Sequence, residues 1–134
     1  MENQKIRVSR GITVEVNDAG ETIVIDVEDQ MFVNKFYDLM NDLEQTAKDV
    51  DSDATRKLSD RDRLKVMIDH TRSIMAHMDD LFGEGCCRKV FGDTVPSPYR
   101  LADFFDQIRP IMERYMNDRQ KEIARKYTDR RKHV

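Results

Sequence analysis

The chain has 134 residues, a length that suits one domain. Leu, Ile, Val and Phe supply 32 of them, about 24%, which is above the roughly 20% below which chains stay disordered, so a modest core can form. Charged residues make up 37% and the net charge is −3, but residues 119–134 hold seven Lys and Arg against two acids, so an acidic body carries a basic tail.

Several classes fall away on this basis. No run of 18 apolar residues exists, so no transmembrane helix is expected. The polar start Met-Glu-Asn-Gln-Lys lacks the apolar stretch of a secretory signal. The two cysteines, Cys86 and Cys87, are adjacent and cannot form the disulfide framework of a small secreted domain; a reducing, cytoplasmic location is expected.

In chain order, Ile12, Val14 and Val16 alternate with Thr13 and Glu15, and Ile23, Ile25 and Val27 alternate with Val24 and Asp26. Between them lies Asn17-Asp18-Ala19-Gly20, a turn sequence, so the pattern predicts a β-hairpin, with Ile6 and Val8 placed to extend its first strand past Gly11. A lone hairpin is marginal in water and must pack on helices or pair with another strand. Asp29 is a candidate N-cap for a helix over about 30–50, whose stripe is Phe32, Phe36, Leu39, Met40, Leu43, Ala47 and Val50. The polar stretch 49–55 reads as a loop. A second helix is predicted from Ser59 or Asp60 to Phe82, lined by Leu64, Met67, Ile68, Thr71, Ile74, Met75, Met78 and Leu81 and stopped by Gly83. Residues 86–91 allow one or two turns before Gly92. Ser97 and Pro98 then open a long last helix with Leu101, Phe104, Phe105, Ile108, Ile111, Met112, Tyr115 and Met116 on one side and a kink expected at Pro110. Beyond Met116 its apolar positions thin to Ile123 and Tyr127, so that part protrudes or docks on a partner.

Catalytic and metal chemistries find little support. Gly83-Glu84-Gly85 lacks the Gly-Lys-Ser/Thr of a phosphate loop, and a helix rather than a strand precedes it. His70 and His77 are seven residues apart, not the three or four of a helical metal pair, and adjacent Cys86 and Cys87 suit a tetrahedral zinc poorly. A Cys–His nucleophile built from His77 has no orienting group or oxyanion site in view. Asp79-Asp80 and the Asp51/Asp53 pair fit no calcium loop. No cofactor is therefore expected. The tail cations Arg119, Lys121, Arg125, Lys126, Arg130, Arg131 and Lys132 suit nucleic acid or a solvated helix end. Eight methionines serve a core or an adaptable binding groove.

The segment Asp79-Asp80-Leu81-Phe82-Gly83-Glu84-Gly85-Cys86-Cys87-Arg88-Lys89-Val90-Phe91-Gly92-Asp93, followed by a Phe- and Ile-rich helix, resembles the tail assembly chaperones of long-tailed phages and prophages of Gram-positive bacteria. The hairpin followed by Phe32-Val33-Asn34-Lys35-Phe36 is similar to those proteins too. The likeness spans most of the chain through short apolar motifs. It implies a non-enzymatic role: coating the helical tape measure protein in the host cytoplasm until the tail tube forms around it, and absence from the finished virion. The family has no catalytic residues to transfer.

The combined expectation is a mainly α protein with a small β part, an N-terminal β-hairpin followed by three main helices and a short helical turn. One domain comprises the hairpin (1–28), a helical body (29–116) and a basic helical tail (117–134). The expected activity is capture of a tape measure protein, with self-association and no membrane. The partner-binding residues would be Phe104, Phe105, Ile108, Met112, Met116, Ile123 and Tyr127. The alternative is a nucleic-acid-binding or regulatory helical module that uses the basic tail.

Overall fold

The protein is described over residues 3–132 by a computed structural model. The hairpin strands β1 (Ile12–Glu15) and β2 (Thr22–Ile25) precede α1 (Gln30–Val50), α2 (Asp53–Arg56), α3 (Asp60–Phe82), α4 (Cys86–Phe91) and α5 (Pro98–Lys132). The chain is thus mainly helical with a small β part, as its patterns predict.

Local chemistry sets the element ends. Asp29 accepts a hydrogen bond from the Met31 amide at 3.0 Å and opens α1. Ser59 does the same for Asp62 at 3.2 Å at the start of α3, and Ser97 for Arg100 at 3.3 Å at the start of α5. Gly83 and Gly92 follow α3 and α4 with positive φ, where a side chain would be strained. The segment 49–55 is not all loop. Ser52 caps α2, and the Thr55 hydroxyl donates to the Asp49 carbonyl at 2.7 Å, folding the turn back on α1.

The strands pair antiparallel with Ile12 opposite Ile25 and Val14 opposite Ile23. These four share one face, and Ile23 and Ile25 are buried while Val24 on the other face is exposed. The hairpin is fastened to α4: Asn17 donates to the Lys89 carbonyl at 3.0 Å, and Lys89 Nζ donates to the Thr22 carbonyl at 3.1 Å. Its first strand does not continue through Ile6 and Val8, which are 93% and 75% exposed on an irregular arm. The cause is Gly11, whose φ of +103° turns the chain away from β2. A Cβ at Gly11 would lie 2.5 Å from the Ile25 carbonyl oxygen, a backbone atom. Gly11→Ala is therefore expected to destabilise by more than about 1 kcal/mol, read as a lower denaturant midpoint.

One cluster of buried side chains joins the hairpin, α1, α3, α4 and α5. All six phenylalanines take part in it or pack on it, linked edge to face in the order Phe32, Phe82, Phe104, Phe105, Phe36, with Phe91 against Phe104. Centroid separations of 5.5–6.1 Å suit the ring quadrupoles. Two stripe assignments shift. Thr46, not Ala47, is buried on α1, and burial leaves its hydroxyl satisfied, donating to the Asp42 carbonyl at 2.8 Å. Leu64 is 53% exposed near the start of α3, whereas Phe82 at the other end joins the core. The helix assignment of α5 runs unbroken through Pro110. Pro110 and Asp106 are both exposed, so water can serve the Asp106 carbonyl that proline leaves without a partner.

Candidate partner-binding groove

Helix α5 lies antiparallel to the first half of α1. Arg109 Nη2 approaches the Met40 sulfur at 3.8 Å, Phe105 meets Phe36, and Arg119 reaches Glu28 just before α1 begins. Because α1 starts at Gln30, α5 has no α1 neighbour beyond this point. Residues 120–128 are exposed on all sides. At 1.5 Å per residue the 35-residue helix is about 52 Å long, against about 32 Å for the 21-residue α1.

This geometry divides the predicted binding residues. Phe104, Phe105, Ile108 and Met112 are 1–7% exposed and form the protein's own core, so they offer little free surface; Phe104 and Ile108 edge one hollow and Met112 another. Met116, Ile123 and Tyr127 are 40%, 44% and 62% exposed and remain open. Sequence periodicity missed the opposite wall. Val27 and Val33, from the end of the hairpin and the first turn of α1, face Met116 and Ile123 across a hollow of about 600 Å³. A second hollow of about 240 Å³, lined by Tyr37 and Met112, shares the lining residues Val33 and Met116 with the first.

Charge at the groove is organised by Arg119. Its guanidinium donates to Glu28 at 2.6 Å and to Glu122 at 3.1 Å, and Lys126 approaches Glu122 at 3.4 Å. Hydrogen bonds and charge from Arg119, then Lys126, hold the Glu122 carboxyl below its usual range. These groups stand in water, so they orient the helix more than they stabilise it. Lys121 and Arg125 are exposed and form no ion pair among the described residues. The side chains of Arg130, Arg131 and Lys132 lie outside the described residues.

The other candidates are placed as follows. Cys86 and Cys87 are buried, and burial first, then the charge of Asp79, pushes the Cys86 thiol up to about 12 and the Cys87 thiol up as well. Asp79 accepts from the Cys87 amide at 2.9 Å and so serves the start of α4. His77 is exposed and lines a cleft of about 540 Å³ between α1 and α3 with Lys35, Asp38, Asp42 and Asp80. Among the described residues, no group of three His, Cys, Asp or Glu side chains could hold a metal ion. No helix among them is long and apolar enough to cross a membrane.

No curated protein and no solved structure matches the chain. A model of the family of unknown function DUF6673 matches residues 19–133, from the hairpin turn through the last helix, and with most of its length inside that match the chain belongs to this family.

Proposed function

We propose that the protein is a non-enzymatic tail assembly chaperone of a long-tailed phage or prophage, holding a helical tape measure protein in the host cytoplasm until the tail tube encloses it. The observation that supports this reading is the far end of α5, which leaves the core with Met116, Ile123 and Tyr127 exposed along one side. Large side chains at helical spacing are suited to laying an amphipathic helix into a groove. Methionine adapts to varied partner surfaces, as a long partner would require. Many copies bound weakly along one partner would hold it by avidity and still release it stepwise. The resemblance around Leu81-Phe82-Gly83 and Lys89-Val90-Phe91-Gly92 is to proteins of that role.

The test is co-expression with a phage tape measure protein. The partner is expected to become soluble and to co-purify with several copies of the protein. Ending the chain after Met116 is expected to lose the complex while shifting the unfolding midpoint little, because every residue of the buried core lies at or before Met112. An insoluble partner, together with salt-sensitive binding of random DNA by the full chain, would favour the nucleic-acid reading instead.

A further inference from the structure

Residues 3–10 precede the hairpin as an irregular arm. Its pattern is that of an amphipathic strand, with Ile6 and Val8 alternating against Lys5, Arg7 and Ser9. An apolar side of this kind implies a cover, yet Ile6 is 93% and Val8 75% exposed. Among the described residues the arm makes one side-chain hydrogen bond, the 3.4 Å contact between the Ser9 hydroxyl and the Tyr115 hydroxyl of α5.

That contact fixes where the arm starts and which way it heads. Val14 and Val16 share a hollow with Phe104, Ile108 and Ile111, and Ser9 stands at Tyr115. Moving back along the chain from Val16 to Ser9 is thus moving forward along α5, and an arm on the same course passes from Tyr115 towards Ile123. Tyr115 is itself part of the wall of the hollow lined by Val27, Val33, Met116 and Ile123. The reach suffices, because the extended chain from Ser9 to Ile6 spans about 10 Å, against about 12 Å of helix from Tyr115 to Ile123. In the structure the arm stands open, with Ser9 rather than its apolar side against α5. The exposed Arg10 and Gly11, a glycine that tolerates either sign of φ, join the arm to β1 and serve as its pivot. Half a turn there lays Ile6 and Val8 on the hollow and leaves Lys5 and Arg7 in water, so no charge is buried.

We infer that residues 3–10 are a strap that closes over this hollow within one chain, seating Val8 on Met116 and Ile6 on Ile123, and that a partner reaches the hollow only by displacing it. The gain from covering apolar side chains is opposed by the entropy of ordering the arm, which keeps closure reversible. The inference goes beyond the chaperone reading and rests on it only for the partner's identity.

The test is disulfide trapping in the full chain carrying Cys86→Ala and Cys87→Ala. One variant adds Ile6→Cys with Ile123→Cys. The control adds Ile6→Cys with Lys121→Cys, nearly the same distance along α5 but about 200° round it. Under mild oxidation the first pair is expected to close within one chain at least about tenfold faster than the control, at a rate independent of protein concentration. Ile6→Ser with Val8→Ser, in the chain with its cysteines intact, is expected to raise the fluorescence of a dye that binds apolar surface by about twofold or more, with an unchanged circular dichroism spectrum. Equal rates for the two pairs would overturn the inference, since a tethered but unseated arm reaches both. So would disulfide-linked dimers in place of the internal bond, which would make a second copy the occupant, or dye fluorescence that does not move. The two readings separate cleanly. If the strap is trapped but a tape measure protein stays insoluble, the chaperone reading alone fails. If the tape measure protein is solubilised while the two pairs close at equal rates, the strap alone fails.

Discussion

Phe105→Ala is expected to cost about 3–5 kcal/mol of stability, a large share of the roughly 5–15 kcal/mol typical of a domain. Phe105 is 1% exposed and sits between two edge-to-face partners, Phe36 at 5.8 Å and Phe104 at 5.5 Å. Truncation removes the transfer energy of the ring, leaves a cavity that rigid helices can close only in part, and deletes two aromatic pairs. The same ring links α1 to α5, so the loss falls on the contact that aligns the two walls of the groove. Denaturant unfolding should show a lower midpoint with an unchanged slope. Met116→Ala, three turns further along the same helix and 40% exposed, should cost under about 1 kcal/mol. Equal costs at the two sites would mean that α5 is packed by a different face.

The buried thiols give the second large effect. Burial raises the Cys86 thiol from 9.0 to about 12, with the charge of Asp79 adding to the rise, and Cys87 is raised by the same causes and by its neighbour Cys86. Below pH 9 the folded and unfolded chains both keep these protons, so the contribution to stability is level. Between pH 9 and pH 12 the unfolded chain releases them and the folded chain retains them. Stability therefore falls as pH rises, by at most about 1.4 kcal/mol per pH unit for each thiol. By pH 11 the loss should approach about 3 kcal/mol for Cys86, with a further loss from Cys87 in the same direction. A variant with Cys86→Ala and Cys87→Ala should lose this slope, while starting from slightly lower stability through lost packing. The same shift makes the thiolate about a thousandfold scarcer at pH 8 than for a thiol at its ordinary value, so iodoacetamide should modify the cysteines only in unfolded molecules. Parallel pH curves for the two proteins, or rapid alkylation of the folded chain, would contradict this account.

Much of the fold was legible because the signals are local. Alternation around Asn17–Gly20 marked the hairpin, and Asp29, Ser59 and Ser97 marked helix starts through side-chain oxygens that reach amides two or three residues on. Other features depend on distant chain. Gly11 ends the strand because of where the Ile25 carbonyl lies, and Ile6 and Val8 carry no mark of that encounter. Asp79 looked like half of an acidic pair, yet it serves the start of α4 through an amide eight residues away. Thr46 outranks Ala47 as a buried residue because of how α1 is rotated against α3, to which both residues are blind.

The division is clearest on α5. Sequence alone determined that one side of this helix is apolar from Leu101 to Tyr127, because the three- and four-residue spacing has the same period whatever covers it. Only the tertiary structure decided which part of that side is already covered. The stretch through Met112 is closed by the hairpin and α1, Met116 lies half-open beside the first turns of α1, and Ile123 and Tyr127 run past the point where α1 begins. The physical reason is one of length. A 35-residue helix outlasts a body whose neighbouring helix starts at Gln30, and a periodic pattern records the need for a cover without recording whether the chain supplies it.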